Sequence, residues 1–180
     1  MTERDDAALI GECLSGVLKS FEIIVERYQK QIYNLALRMV HNHDDAEDIS
    51  QSVFVKAYEN LASFNPRFKF FSWIYRMAIN ESINFVKQRK IGEELPPNVL
   101  SIERTPEDNY SELVLREQLL EALMKLDIDY RAVIILRHFE GFSYGEISYI
   151  LDVPEKTVKS RLFTARQSLR DILINEGVVI

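Results

Sequence analysis

Residues 143–166 read SYGEISYILDVPEKTVKSRLFTAR, and this stretch decides the fold class. Ser143 and Glu146 have the spacing of a capping box, in which each side chain accepts a bond from the backbone N–H of the other residue, so we expect a helix to begin here. Pro154 lacks a backbone donor and restricts the residue before it, which ends that helix and suits the first turn of the next. The sequence therefore predicts a short helix over 144–151, a tight turn and a longer helix over 155–175.

The longer helix has two unlike faces. At about 100° per residue, an apolar stripe forms from Val158, Leu162, Ala165 and Leu169. The opposite face is basic and hydroxylated with one aromatic ring, and comprises Lys156, Lys159, Ser160, Phe163, Thr164 and Gln167. Such side chains suit phosphates, base edges and the thymine methyl group, as in a helix-turn-helix that reads duplex DNA. An ordinary corner between two helices with a solvated face is the alternative.

The rest of the chain shows the same helical period. Apolar residues recur at three- and four-residue spacing and predict further helices at roughly 5–15, 18–41, 45–62, 71–89, 111–126 and 128–139. Residues 90–110 hold three of the five prolines and little periodic apolar content. We expect an all-α protein with two small helical domains, residues 1–90 and 111–180, joined by a flexible acidic linker over 91–110.

Composition limits the class of protein. The net charge is −6, but residues 91–130 hold ten acidic residues against three basic ones, whereas 67–90 hold six basic residues against one acidic residue. No apolar run reaches the length of a membrane span and the amino terminus does not resemble a secretory signal, so we expect a cytoplasmic protein. The single cysteine, Cys13, excludes an internal disulfide and a zinc cage made of cysteines.

Residues 64–90 interleave aromatic and basic side chains, a pattern typical of surfaces that bind unstacked, single-stranded nucleic acid. On the predicted helix a polar stripe runs along one side and consists of Arg76, Asn80, Asn84 and Lys87. The alternative is that the aromatic residues of this segment belong to the hydrophobic core, namely Phe70, Phe71, Trp73 and Tyr75.

The third predicted helix begins with Asp44 as its N-cap and Glu47 three residues later. Its outer face is acidic and rich in amides, with an exposed valine, and comprises Asp48, Gln51, Val55 and Glu59. That face repels DNA and suits a basic protein surface, although a solvated face is the simpler interpretation. The nearby histidines have poor spacing for a metal, and the chain has no phosphate-binding loop or nucleophile motif. We therefore expect no metal, no cofactor and no catalytic residue.

Three stretches together resemble one family: DAEDISQSVFVKAY at 45–58, FSWIYRMAIN at 71–80 and TVKSRLFTAR at 157–166. In this order and at this separation they are similar to the extracytoplasmic-function sigma factors of the sigma-70 family, over about residues 20–173. The resemblance implies a sigma factor rather than an enzyme. Such a protein binds core RNA polymerase, through the β′ clamp helices and the β flap, and directs it to specific promoters.

The resemblance also implies roles for particular residues. The −35 duplex would be read by Lys156, Thr157, Lys159, Ser160, Arg161, Phe163 and Arg166. The single-stranded −10 element would be held by Asn65, Arg67, Phe68, Lys69, Phe70, Phe71, Trp73, Arg76, Asn80, Asn84 and Lys87. Core polymerase would be bound by Asp45, Glu47, Asp48, Gln51 and Val55. The acidic linker would follow the path of the exiting RNA.

Some features depart from the family pattern or leave the function open. Thr164 stands where the family commonly has an arginine, so one phosphate or base contact is expected to be absent. The family often works under an anti-sigma factor, which nothing in this sequence identifies. The alternative function is a classical helix-turn-helix regulator that binds duplex DNA without being a polymerase subunit.

Overall fold

The computed structural model describes residues 5–92 and 110–178, and in these ranges the regular structure is entirely helical. This confirms the predicted all-α class. The α-helices are α1 (Asp6–Leu14), α2 (Leu18–Val40), α3 (His43–Glu59), α4 (Phe70–Gly92), α5 (Tyr110–Lys125), α6 (Ile128–Ile134), α7 (Tyr144–Leu151) and α8 (Glu155–Asn175). A short 3₁₀ turn at Leu61–Ser63 follows α3, and a π-helical turn at Ile135–Phe139 follows α6.

Two local predictions need correction. The N-cap of α3 is Asn42, not Asp44: its side chain accepts from the backbone N–H of Asp45 at 3.0 Å. Asparagine caps a helix as well as aspartate does, and Asn42 has the extended backbone that an N-cap needs. The predicted helix at 128–139 changes to a π-helical turn after Ile134, a change that hydrophobic periodicity does not report. Most of the predicted linker over 91–110 lies outside the described residues.

The first half, α1 to α4, packs around the long helix α2. Buried side chains recur along α2 at three- and four-residue spacing and include Ile24, Tyr28, Ile32, Leu35 and Met39. Because each buried aliphatic side chain contributes roughly 1.5–3 kcal/mol, this stripe outweighs the local preferences of α2. The loop from α2 to α3 is short, so the two helices lie side by side and α3 contributes its own buried stripe, with α4 packed on both.

The second half, α5 to α8, is organised around a buried cation. Arg131 is 6% exposed, and its guanidinium donates to the carbonyls of Leu123 at 3.0 Å, Met124 at 2.7 Å and Leu126 at 3.4 Å. These carbonyls lie at the end of α5, where a helix leaves acceptors without partners of its own. Burial lowers the pKa of Arg131 to about 10, with a nearby Asp127 opposing the shift, so the guanidinium is protonated at neutral pH.

The two halves share one continuous hydrophobic core. Arg131 also donates across the boundary, to the carbonyl of Met39 at the end of α2, at 2.5 Å. Glu140 accepts from two residues of the first half, Tyr75 at 2.8 Å and Arg38 at 2.8 Å. Burial, followed by the charge of Glu140, raises the pKa of Tyr75. Helix α7, which begins shortly after Glu140, packs on α4, and this packing decides how the candidate site is presented.

Candidate nucleic-acid interface

The helix-turn-helix forms as predicted. The Ser143 hydroxyl accepts from the Glu146 backbone N–H at 3.3 Å, and the Glu146 carboxylate accepts from the Ser143 N–H at 3.0 Å. The Ser143 backbone N–H and hydroxyl both donate to the Glu146 carboxylate and lower its pKa. Helix α7 ends at Asp152, which has a left-handed backbone with φ 56°, and α8 begins at Glu155 directly after Pro154. Pro154 is thus the N-cap of α8 rather than part of its first turn.

Helix α8 divides its residues as its sequence pattern indicates. Val158, Leu162 and Ala165 are buried, and Leu169 is half-buried. Five residues predicted to read duplex DNA are exposed on the outer side: Lys156, Lys159, Ser160, Phe163 and Arg166. Phe163 is 68% exposed, which makes it the most exposed large hydrophobic side chain among the described residues. The Phe163 ring follows Lys159 and Ser160 by about one helical turn, so the exposed face combines basic, hydroxyl and aromatic groups, which suit phosphates and base edges.

The other two predicted residues of this surface are less free. Thr157 and Arg161 are half-buried, and the Arg161 guanidinium forms an ion pair with Asp129 at 3.0 Å. Arg161 therefore lies at the edge of the surface, against α6, where a phosphate would have to compete with a carboxylate.

The basic surface extends beyond α8 through residues that the sequence pattern did not single out. The Tyr144 ring has the Arg137 guanidinium 5.0 Å and the Lys159 ammonium 5.6 Å from its centroid. Arg166 donates from Nε to His138 Nε2 at 3.3 Å. Burial, then the charges of Arg166 and Arg137, lowers the pKa of His138, so its ring is a neutral acceptor. A signal for these residues was available, since Arg137 and His138 are basic residues close before the capping box.

The second predicted surface, in 64–90, separates into an exposed part and a buried part. The exposed residues are Asn65, Arg67, Phe68, Lys69, Asn80, Asn84 and Lys87. Phe70 and Trp73 are buried and pack with Phe64, whose ring centroid lies 5.5 Å from that of Phe70 and 5.4 Å from that of Trp73. These two aromatic residues thus occupy the hydrophobic core, and any part they play in holding DNA stays a prediction.

Helix α7 covers part of this surface. The rings of Phe68 and Tyr149 stack with centroids 4.2 Å apart. Arg76 donates to the Tyr149 carbonyl at 3.0 Å and forms an ion pair with Asp152 at 3.0 Å. Lys69 pairs with Glu146 at 3.1 Å. Three residues expected to meet a single strand therefore contact the helix-turn-helix instead.

The outer face of α3 presents the predicted protein-docking residues. Glu47, Asp48, Gln51 and Val55 are exposed, and the Gln51 side chain donates to Glu47 at 3.4 Å. Asp45 differs, because it is half-buried and forms an ion pair with Arg89 of α4. The structure brings four of the five residues onto one acidic face with a valine that is 57% exposed.

Two further features of the described residues concern metals and membranes. No group of three or more His, Cys, Asp or Glu side chains in 5–92 and 110–178 has a metal-binding arrangement, and the His43 ring bonds to the Tyr33 hydroxyl at 2.5 Å. Among the helices of those ranges, none is both long and apolar enough to cross a membrane.

Comparison of the sequence with known proteins finds two family models and many relatives. Residues 24–91 match Sigma-70 region 2, and residues 116–169 match Sigma-70, region 4. The ECF RNA polymerase sigma factor SigW of Bacillus subtilis is 35% identical over 173 residues, covering 89% of this chain and 92% of that protein. The RNA polymerase sigma-H factor of Pseudomonas aeruginosa is 30% identical over 183 residues, covering 94% of each.

Solved structures agree with the fold. CnrH, in complex with the cytosolic domain of CnrY, is 26% identical with a TM-score of 0.72, covering 94% of this chain and 97% of that chain. RpoE of Bartonella quintana, in complex with the anti-sigma factor NepR, has a TM-score of 0.71 at 24% identity, covering 86% of this chain and 97% of that chain. At that identity the second structure supports the fold alone.

Proposed function

This chain belongs to the extracytoplasmic-function sigma factors of the sigma-70 family, and from that premise we propose how its two halves divide promoter recognition. As an RNA polymerase sigma factor it binds core RNA polymerase and directs it to promoters. In our proposal the second half reads the −35 duplex and docks on the β flap. The first half holds the −10 single strand and docks on the β′ clamp helices. The observation that carries this proposal is the exposed face of α8.

We propose that α8 enters the major groove at the −35 element. Lys156, Lys159 and Ser160 lie on its exposed side, with Phe163 on the same side about one turn further along and a buried stripe behind. Lysine and serine donate to base edges and phosphates, and an aromatic ring packs against a thymine methyl group. Arg166 is one helical turn beyond Phe163 and suits a phosphate. A solvated corner between helices would not need an exposed phenylalanine there.

We propose that residues 64–90 capture the non-template strand of the melted −10 element. Phe68 lies exposed in the loop before α4 and offers a flat surface for an unstacked base. Asn80 and Asn84 are exposed one helical turn apart on α4 and can bond base edges. Lys87 follows on the same stripe and suits the phosphates of the DNA strand.

We propose that the two halves separate for this second role. The Phe68 ring cannot stack on Tyr149 and on a DNA base through the same face, and the Arg76 guanidinium is already bonded to Tyr149 and Asp152. We propose that polymerase, by docking α3 and the second half at separate places, draws α7 away from α4. Tethering both halves to one enzyme also raises the effective concentration of each surface at its promoter element.

A regulatory partner, the compartment and the absence of catalysis are proposals of the same kind. CnrH, which shares this fold, was solved with the cytosolic domain of a second protein bound. An anti-sigma factor that stabilises the contact between α4 and α7 would keep this chain off the promoter. We propose that the protein works in the cytoplasm, where polymerase and DNA are, and that it contributes no catalytic residue of its own.

The test is run-off transcription with purified core RNA polymerase on fragmented genomic DNA, with and without this protein. Sharply started transcripts that need the protein are expected, and their start sites give the −35 and −10 sequences. A result of no transcripts, together with tight binding of the free protein to a specific duplex, would favour the classical helix-turn-helix regulator.

The docking role of α3 has its own test. A protein carrying both Asp48→Ala and Gln51→Ala should bind core polymerase at least about three-fold more weakly, because each substitution removes a polar contact worth roughly 0.5–1.5 kcal/mol. The loss should be the same at every promoter. Asp171→Ala, an exposed acid on α8, is the matched control and should bind core normally. A loss confined to some promoters would contradict the docking role.

A further inference from the structure

The Tyr144 side chain lies between α8, the proposed recognition helix, and the segment that precedes the helix-turn-helix. Its ring has the Lys159 ammonium 5.6 Å from the centroid and the Arg137 guanidinium at 5.0 Å. Both distances are within the range of an attractive cation–π contact. Tyr144 is the first residue of α7, so it acts on α8 from a neighbouring helix.

The cations around this ring are not neutralised by acids. Arg137 is anchored by a bond from its guanidinium to the Phe142 carbonyl at 2.8 Å. Within residues 5–92 and 110–178, neither Arg137 nor Lys159 forms an ion pair with a carboxylate, whereas Arg161 on the same helix as Lys159 pairs with Asp129. The nearby Glu146 carboxylate is bonded to Ser143 and Lys69 instead. Among the described residues, the Lys159 ammonium therefore contacts the Tyr144 ring and has no carboxylate partner.

Holding a lysine in this way matters for recognition. A free lysine has four rotatable bonds, and fixing them when a base is bound costs conformational entropy. A ring that already restricts the ammonium lowers that cost and limits which acceptors it reaches.

We infer that Tyr144 is a positioning residue of the −35 surface: its ring fixes Lys159, and so helps to set which base Lys159 prefers, from outside the recognition helix. The inference rests on the proposed function, since it needs Lys159 to contact the −35 element. It adds a residue from α7 to the determinants of promoter choice, with Arg137 holding the ring from the other neighbouring segment.

The test uses polymerase holoenzyme assembled with the full chain and a promoter library randomised in the −35 element. Lys159→Ala should lower the preference at one position by about ten-fold, the usual value of a specific base contact. Tyr144→Leu should lower the preference at that same position by about two- to five-fold, the value of an exposed cation–π contact. Tyr144→Phe keeps the ring and should keep the preference. The variant with both Lys159→Ala and Tyr144→Leu should lose no more than Lys159→Ala alone.

The outcomes separate the inference from the function on which it rests. If Lys159→Ala leaves every −35 preference unchanged, the assignment of Lys159 as a base reader is wrong. If Lys159→Ala acts but Tyr144→Leu does not, only the positioning role is overturned. The positioning role is also overturned if Tyr144→Leu lowers transcription equally at all −35 sequences and also lowers the thermal unfolding midpoint. That result would indicate a structural role. A loss in Tyr144→Phe as large as in Tyr144→Leu would transfer the effect to the hydroxyl and refute the cation–π argument.

Discussion

The two proposed nucleic-acid surfaces of this protein differ in what lies over them. The outer face of α8 is open, with Phe163 68% exposed, and within residues 5–92 and 110–178 Lys156 and Lys159 form no ion pair with a carboxylate. The surface of 64–90 is partly covered by α7, where Phe68 stacks on Tyr149 and Arg76 pairs with Asp152. In our proposal the open surface meets its ligand without rearrangement, whereas the partly covered surface is first freed from α7.

That difference has a thermodynamic consequence. When only a fraction of molecules presents the covered surface, its apparent affinity falls by that fraction. The free protein should therefore bind a single strand more weakly than it would if the whole surface of 64–90 were exposed. In our proposal polymerase docking supplies the free energy that uncovers this surface, so the contact between the halves would couple promoter melting to assembly of the complete enzyme.

The largest expected effect comes from Arg131, which bonds within the second half and across to the first. Arg131→Met keeps much of the volume but leaves four carbonyls without their donor, at Leu123, Met124, Leu126 and Met39. We expect the free energy of unfolding to fall by about 3 kcal/mol or more, since each buried acceptor without a partner costs roughly 1–3 kcal/mol. Urea unfolding followed by circular dichroism measures the change.

The same variant shows whether the second half, whose helix α7 lies over part of the 64–90 surface, can unfold before the first half. Trp73 is the only tryptophan and is buried in the first half, so its fluorescence reports that half alone. In the parent protein the circular dichroism and the Trp73 fluorescence should change over the same range of urea concentration, because one core joins the halves. In Arg131→Met, the circular dichroism should change at a lower urea concentration than the fluorescence. Arg131→Lys, which keeps the charge but not the planar fork, should lie between. If the two unfolding curves of Arg131→Met coincide and its free energy of unfolding falls by less than about 1 kcal/mol, the hydrogen-bond network of Arg131 is dispensable.

Tyr149 offers a smaller and more specific way to remove the cover. Tyr149→Ala loses the ring stack with Phe68 and the contact with the Arg76 guanidinium, whose centre lies 5.5 Å from the ring centroid. Such contacts contribute about 0.5–1.5 kcal/mol each. Affinity for a labelled single strand carrying the −10 sequence should rise about five-fold, measured by fluorescence anisotropy, while affinity for the −35 duplex stays the same.

The matched control for that experiment is Tyr149→Phe, which keeps the ring and should behave as the parent. Equal gains for the single strand and the duplex would indicate a general change in charge or folding rather than uncovering. An unchanged single-strand affinity in Tyr149→Ala would mean that α7 does not limit access to Phe68.

The sequence predicted the open surface better than the covered one, for a physical reason. Capping chemistry and helical period are local, so they are enough to predict α7, α8 and the outward direction of Lys156, Lys159 and Phe163. A helical period says which side of a helix a residue occupies, but not which other helix lies against that side. The stack of Phe68 on Tyr149 joins residues 81 positions apart, and no local pattern in either segment announces it.

Other differences between sequence and structure have the same origin. The motif at 45–58 groups Asp45 with the protein-docking residues, yet Asp45 pairs with Arg89 of another helix. Arg131 gave no signal in the sequence, because its role depends on carbonyls from the ends of two helices that meet only in the folded chain. The aromatic residues of 64–90 could not be divided into core and surface by spacing alone, since a ring suits both environments.

The smallest expected effect concerns the ion pair between Arg76 and Asp152. Asp152→Asn keeps a residue that tolerates the left-handed backbone at φ 56° and removes only the charge. Asp152 is 79% exposed, so the pair contributes less than about 1 kcal/mol and is screened by salt. Relative to the parent, single-strand affinity should rise by at most about two-fold at low salt and not at all at high salt. The control is Glu155→Gln, which removes an exposed charge close by in the sequence. Its single-strand affinity should equal that of the parent. If Asp152→Asn instead gained as much as Tyr149→Ala and kept its gain at high salt, charge rather than ring stacking would be what holds the cover in place.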